Sequence, residues 1–336
     1  MIEYIRFKNY KVLRDTTLPL GRFTLIVGPN GSGKSTALQG IDAAYRASWD
    51  YDRLIFKGAA DSGREAILIE VAWREDKLLI VVRCECTANG KVRWHVSMND
   101  GRSLPQDHAE RIRRWLAGLR ILALDAEVIA RGVPIQPDPQ LSNDGGNLAA
   151  VLDHLRDHEP ARFQQINDEL GKWIPEFDEI AFDTPSEGRR SVKLRTREEH
   201  HEIPAQDLSQ GTLLALAILT ATHRSDLPPI MCFEEPDRGL HPRLLRDIRD
   251  ALYRLAYPES CGEDREAVQV IATTHSPYML DLFRDHPEEI VIANKVGNEA
   301  RFERLSDRDD IDDILKDAHL GDVWYSGILG GVPAEQ

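Results

Sequence analysis

An α/β architecture organised around a phosphate-binding loop follows from three stretches of the 336-residue sequence. Residues 23–27, Phe-Thr-Leu-Ile-Val, lead straight into Gly28-Pro29-Asn30-Gly31-Ser32-Gly33-Lys34-Ser35-Thr36. A second apolar run at 230–233 ends in Glu234-Glu235, and a third at 268–273 ends in Thr274-His275-Ser276. Apolar strands with acids, histidine or glycines at their carboxyl ends fit an α/β sheet that binds ligand at that end.

The first stretch matches G-x-x-x-x-G-K-[ST], with Gly28, Gly33, Lys34 and Ser35 at the fixed positions. Glycines let backbone N–H groups turn inward around phosphate oxygens, and the helix that follows adds partial positive charge at its N-terminus. Asn30, Gly31, Ser32, Gly33 and Thr36 are the expected cradle. Lys34 is expected to neutralise the β- and γ-phosphates, and Ser35 to offer a hydroxyl to Mg²⁺, which prefers oxygen ligands.

Composition narrows the class. Apolar content of 42% and charged content of 29% are those of a soluble globular protein with a sizeable core. No apolar run approaches the length of a membrane span and the N-terminus lacks a signal pattern, so a cytoplasmic protein with no membrane partner is expected. A net charge of −14 argues against indiscriminate nucleic-acid binding and confines any such contact to a local patch. Four cysteines without a CxxC unit indicate neither a disulfide framework nor a zinc site, and Cys232 reads as a small buried thiol.

Along the chain, 3–7 alternates as a strand and 18–27 leads into the loop, followed by a helix over 34–48. After a polar connection at 57–63, strands at 66–73, 77–86 and 91–96 form an antiparallel meander, with Ala88-Asn89-Gly90 as a hairpin turn. A helix over 108–119 puts Ile112, Trp115, Leu116 and Leu119 on one face and leaves Arg111, Arg113 and Arg114 off it. Residues 131–146, rich in Pro and Gly, read as a long irregular loop, and 148–156 and 161–173 as helices. Strands at 179–183 and 190–197 pair as a hairpin whose second arm shows Lys193, Arg195 and Arg197 on one face and Val192 and Leu194 on the other. That basic strip is either a phosphate-backbone contact or the charged protection of an exposed sheet edge. From 211 onward helices and strands alternate to Ile292, with no repeats or heptads.

Glu234 and Glu235 supply two carboxylates at a strand end, one for the Mg²⁺ shell and one to orient or deprotonate the attacking water. His275 is placed to hydrogen-bond a γ-phosphate, or to serve as a structural hydrogen bonder. Ser209 of Leu208-Ser209-Gln210-Gly211-Thr212 is either a plain N-cap or, with Gly211, a hydroxyl and bare N–H groups presented to a γ-phosphate held by another subunit.

Together these residues resemble the ATP-binding-cassette superfamily, in its RecF-like and chromosome-maintenance branch, which includes OLD-like ATPases described as AAA-type. The run Glu234-Glu235-Pro236-Asp237-Arg238-Gly239-Leu240-His241-Pro242 carries the most specific part of that likeness. The resemblance covers about residues 1–48 and 205–294. It implies a P-loop ATPase head of mixed sheet, antiparallel meander and helical insertion lobe, with 1–104 and 205–336 as the core and 105–204 as the lobe. Residues 28–36 become Walker A, 208–212 the signature motif with Ser209, Gln210 and Gly211 acting in trans, 230–235 Walker B with Glu235 catalytic, and His275 the switch histidine. Lys11, in the opening Phe-Lys-Asn-Tyr-Lys, becomes a basic residue near the nucleotide. Gln136 is a candidate Mg²⁺-linking glutamine, with Gln140 an alternative. Glu234 replaces the commoner Asp, and Gln210 the frequent Gly.

The implied activity is Mg²⁺-dependent ATP hydrolysis by a homodimer that sandwiches two ATPs and switches a separate effector, such as a nuclease or toxin, or a DNA-bound state. DNA repair, chromosome processing and anti-phage defence are the settings it suggests. A nucleotide-gated scaffold with slow hydrolysis is the alternative, and a transporter ATP-binding subunit a third. With about 175 residues between Lys34 and Ser209 and no heptads, neither a long coiled coil nor an appended nuclease domain is expected.

Overall fold

The computed structural model describes residues 1–44, 46, 48–56, 65–75, 78–98, 106–317 and 319–330. The chain forms two compact units, one of residues 1–119, 228–232 and 267–336, the other of 120–227 and 233–266. In chain order, the first segment carries β1 (Ile2–Tyr10), β2 (Leu13–Pro19), β3 (Phe23–Val27), α1 (Lys34–Ala43), α2 (Tyr51–Leu54), β4 (Ile67–Glu75), β5 (Leu78–Cys86), β6 (Val92–Met98) and α3 (Gln106–Ala117). The middle segment carries β7 (Arg120–Leu122), α4 (Ala126–Ile129), β8 (Val133–Pro134), α5 (Leu148–His158), α6 (Pro160–Trp173), β9 (Phe177–Asp183), β10 (Arg189–Thr196), β11 (Glu202–Pro204) and α7 (Gln210–Thr222). The last carries β12 (Ile230–Glu234), α8 (Leu244–Ala256), β13 (Gln269–Thr274), α9 (Pro277–Asp281), β14 (Ile290–Val296), β15 (Glu299–Arg304), α10 (Ile311–Asp317) and α11 (Leu320–Tyr325).

The first unit holds two sheets. One is the expected meander extended by the N-terminal hairpin, in the order β2-β1-β4-β5-β6, antiparallel throughout. The other runs β15-β14-β3-β13-β12, with β3 parallel to both β13 and β14, and β15 antiparallel to β14. It is the mixed sheet of an α/β fold. β3 and β13 are buried along their whole length, as strands covered on both faces must be, which is why they read as continuous apolar runs. Gln269 ties β1 to this sheet: its Oε1 accepts from Ile2 N at 2.9 Å and its Nε2 donates to the Ile2 and Gly21 carbonyls. All the bonding groups of this buried amide that can pair do so, so it costs little to bury.

Helix α1 stops at Ala43, short of the expected Ser48. Side chains from outside the helix take its last carbonyls: Trp49 Nε1 donates to Ala43 O at 2.9 Å and the Cys84 thiol to Ala44 O. Helix α3 ends at Ala117, short of the expected Leu119; it buries Ile112 and Leu116, Leu119 is buried just past its end, and Trp115 meets Trp73 of β4 edge-on. The connection at 57–63, the start of the strand at Lys77 and the Arg111 side chain lie outside the described residues.

In the second unit the expected hairpin β9–β10 forms, with Lys193 opposite Ala181 and Leu194 opposite Ile180. Its second arm is not an edge, and that expectation is corrected: β10 also pairs with β11 at 193–195 and with β8 at 189–190, so it lies inside its sheet. Val192 and Leu194 are buried. Helix α7 is buried from Gly211 to Thr222, which explains its near-continuous apolar sequence.

Candidate functional site

In the first unit the phosphate loop leaves β3 where the parallel register aligns Val27 with Thr274 of β13 and Ile292 of β14. Gly28 N donates to Thr274 O at 3.3 Å, so the residue after Thr274, His275, starts its loop beside the start of the glycine loop. His275 is exposed there. Ser276 caps α9 by accepting from Met279 N, which turns the chain away immediately after the histidine.

The loop has the backbone of an anion cradle. Gly31 and Gly33 adopt φ of 78° and 97°, values that favour glycine. A Cβ on Gly33 would also lie 2.7 Å from Ala300 Cβ of β15. Gly33 is the N-cap of α1 and contributes no side-chain cap at the start of the helix, the end that carries partial positive charge. Lys34, only 6% exposed, donates through Nζ to Gly28 O at 2.7 Å and Pro29 O at 3.1 Å, which holds its ammonium inside the loop. Ser32 is buried and its Oγ has no hydrogen-bond partner among the described residues, an unsatisfied hydroxyl that lies beside Gly28. Asn30 is exposed, and Ser35 and Thr36 are half-buried in the first turn of α1. These features fit a triphosphate.

Lys11 stands at the β1–β2 turn with a φ of 51°, and its Nζ donates to Gln39 Oε1 of α1 at 2.5 Å. Burial, with the nearby Arg53 charge, lowers its pKa. Cys232 is fully buried, and burial pushes its thiol far up, so it is an inert packing group.

In the second unit, β12 ends at Glu234 and the next residue, Glu235, takes a φ of 47°. Extended backbone followed by left-handed backbone sends the two half-buried carboxylates in different directions. The turn is closed by Arg238 N donating to Glu235 O at 3.0 Å, and Gly239 follows at a φ of 71°. Gly239 is pressed on α7: a Cβ on Gly211 would lie 2.8 Å from its carbonyl oxygen. Gly211 is therefore required by the loop after β12. Ser209 and Gln210 are exposed at the start of α7, and Ser209 is its N-cap, accepting from Thr212 N at 3.1 Å with Thr212 Oγ1 at 2.8 Å.

The other sequence candidates fall elsewhere in this unit. Gln136 is exposed in the irregular stretch after β8, and Gln140 accepts from the Arg120 guanidinium. Lys193 pairs with Asp183 and Glu202, Arg195 with Asp178 and Glu179, and Arg197 donates to the Pro175 and Phe177 carbonyls. Lys193 and Arg195 are thus paired with four carboxylates, while Arg197 is held on backbone carbonyls.

Two parts of this site went unread in the sequence. Arg238 donates through Nη2 to Leu124 O at 3.2 Å, and nothing in its sequence position signals that reach. Ala300 and its strand β15 were legible, since Gly297-Asn298 between alternating runs is a hairpin signal.

Residues 87–281 match the family described as "AAA domain, putative AbiEii toxin, Type IV TA system", and residues 1–82 match an AAA ATPase domain. An OLD nuclease of Thermus scotoductus is 26% identical, over 84% of this chain and 60% of its own length. The chain therefore spans about 60% of that curated relative. Among solved structures, the SmcHead bound to the C-winged helix domain of ScpA aligns with a TM-score of 0.60 at 16% identity, covering 90% of this chain and 97% of that one. An Smc head domain with an extended coiled coil, bound to the C-terminal domain of ScpA derived from Pyrococcus furiosus, aligns with a TM-score of 0.56 at 16% identity, covering 90% and 95%. The fold is that of an SMC-type ATPase head, and the likeness read from the motifs holds.

Proposed function

This chain belongs to the AAA-domain family that its residues 87–281 match, and from that membership we propose that it binds and hydrolyses ATP with Mg²⁺ as a pair of heads closing on two nucleotides. The observation that carries the reading is the cradle itself: left-handed Gly31 and Gly33, an uncapped α1 N-terminus, and the Lys34 ammonium held on the Gly28 and Pro29 carbonyls. On binding, Lys34 exchanges those carbonyls for the β- and γ-phosphate oxygens. The N–H groups of residues 31–36 and the Ser32 hydroxyl take the remaining oxygens, and Lys11 leaves Gln39 for the same phosphates.

Ser35 and Glu234 would be the oxygen donors for Mg²⁺, with Gln136 a candidate third, and the ion would offset negative charge on the triphosphate. Glu235 orients the attacking water and accepts its proton, and His275 hydrogen-bonds the γ-phosphate. In the closed pair, Ser209, Gln210 and Gly211 of each head meet the other head's γ-phosphate. That contact makes Ser209 share its hydroxyl between the cap on Thr212 and the ligand. Loss of the γ-phosphate removes the trans contact and opens the pair.

The stretch 105–204 serves as the insertion lobe that reports this opening. The similarity to a nuclease over part of its length, and to heads solved with a partner protein, supports a separate effector protein, a nuclease or toxin, as the load. DNA repair, chromosome processing and defence against foreign DNA are the settings this favours. Phosphate release by the purified chain tests the reading. Turnover that requires Mg²⁺ and disappears in Lys34→Ala together with ATP binding is the expected result. A Lys34→Ala variant that turns over at the wild-type rate contradicts it.

A further inference from the structure

Glu235 holds a backbone conformation that residues other than glycine rarely adopt, and such a conformation persists only where its surroundings over-determine it. Pro236, Gly239 and Arg238 each help to hold the loop that follows it. Pro236 is buried and lines, with Leu122, Leu124, Leu214, Ile218 and Phe233, a small apolar cavity that Arg238 also borders. Gly239 lies against Gly211 at the start of α7. Between them, Arg238 reaches both ways: its N–H donates to Glu235 O at 3.0 Å, and its guanidinium Nη2 donates to Leu124 O at 3.2 Å.

The carbonyl it grips is a fixed post. Ala123 N donates to Asn143 O at 2.8 Å and Asp125 N to Asp144 O at 2.9 Å, and Asp125 caps α4 through Oδ1. Leu124 is thus held on both sides, and the turn carrying Glu235 is tethered to it through one side chain. Pro236 and Gly239 fix where the loop runs, and the Arg238 tether within the turn acts directly on the Glu235 carbonyl. The Arg238 donor can be removed while an unbranched stem is kept beside the cavity and the packing on α7 is left in place.

We infer that Arg238 is a positioning residue for Glu235, holding the left-handed turn so that the carboxylate stays aimed at the attacking water. The inference rests on the proposed hydrolysis by Glu235. Its signature is a loss in kcat without a loss in ATP affinity, because the phosphate loop lies on β3 and α1, and Arg238 is no part of it.

The test compares Arg238→Met, which keeps a long unbranched stem and removes the donor, with Arg238→Lys, which keeps a donor of similar reach. Turnover, ATP affinity by calorimetry and thermal midpoint are measured for each, alone and in a Glu235→Gln background. Arg238→Met is expected to lower kcat by about 10- to 100-fold, the scale of a misplacement on the order of 1 Å. Its ATP affinity should stay within about twofold, since uniform binding is untouched. Arg238→Lys should recover part of the loss, and neither change should lower turnover further once Glu235 is Gln.

Wild-type turnover in Arg238→Met, no recovery in Arg238→Lys, or a further loss in the Glu235→Gln background overturns the assignment. A wild-type chain that does not hydrolyse ATP, or is unaffected by Glu235→Gln, refutes the ATPase reading and this inference with it. Normal wild-type turnover, a Glu235→Gln slowed to a small measurable residual rate and an undiminished Arg238→Met refute the role of Arg238 alone.

Discussion

Replacing Gly33 by Ala puts two separable costs on one residue. The backbone at a φ of 97° is strained for any side chain, at about 1–3 kcal/mol. The new Cβ would lie 2.7 Å from Ala300 Cβ, with Val12 and Leu13 already in ordinary contact at 3.4 and 3.5 Å, so it has no free side to move into. The loop or β15 must shift, and overpacking of that kind costs about 1–3 kcal/mol. Against these, alanine restricts the unfolded chain and returns about 0.4–1 kcal/mol. The net expectation is a loss of about 2–5 kcal/mol, or roughly 5–15 °C for a unit of this size. Gly33→Ala/Ala300→Gly removes the steric part only. Urea and thermal unfolding followed by tryptophan fluorescence should show recovery of about 1–3 kcal/mol in the double variant, while an ATP titration stays silent because the left-handed turn of the cradle is still opposed. A Gly33→Ala chain within about 0.5 kcal/mol of wild type refutes the reasoning, because changes that small are ordinary for surface positions away from special backbone. A double variant that recovers nothing refutes the contact with β15.

Glu169 sits with His223 at 2.9 Å and Arg254 at 3.2 Å, where α6 meets the end of α7 and α8. Burial raises its pKa, but the hydrogen bond from His223 and the Arg254 charge outweigh it and leave the carboxyl below its ordinary value. Its stabilisation is therefore complete above that ordinary value and is lost as pH falls through the lower folded value. Glu169→Gln should cost about 2 kcal/mol near neutrality, less than a fully buried pair, and urea midpoints of the two proteins should converge as pH falls below the ordinary carboxylate range; a pH-independent difference contradicts this account. Reversing the charges of Lys193, Arg195 and Arg197 should lower the thermal midpoint through repulsion from Asp183, Glu202, Asp178 and Glu179 while leaving the salt dependence of DNA binding unchanged. A reduced salt slope would instead place DNA on that strip. Gly211→Ala gains helix propensity of about 1 kcal/mol yet pushes on Gly239, so its stability should change little while its turnover falls; an unchanged rate would show that the loop after β12 tolerates displacement.

What was legible followed from local period. β3 and β13 are buried on both faces and read as continuous apolar runs, and the meander read by alternation because Ile67, Ile69 and Val71 face its core. The glycine pattern carried the cradle, since Gly31 and Gly33 need what only glycine adopts cheaply. β10 was legible as a strand but not as an interior one, because β8 has two residues and β11 three, too short to show a period. The carboxylates that neutralise its basic face lie on β9 and β11, so their pairing with it depends on the fold. The end of α1 is likewise decided from outside, by Trp49 and Cys84. The left-handed backbone at Glu235 has no residue-type signal, and Arg238 matters through a carbonyl 114 residues away.

The central claim, that two chains close on ATP, is tested most directly by the particle mass of Glu235→Gln in solution with Mg-ATP and with Mg-ADP. Trapped before hydrolysis, the variant should run as a two-chain particle with ATP and as a single chain with ADP, and an added Ser209→Arg change should abolish the larger species without abolishing ATP binding. A single-chain mass at saturating ATP, with calorimetry showing the nucleotide bound, would contradict the sandwich.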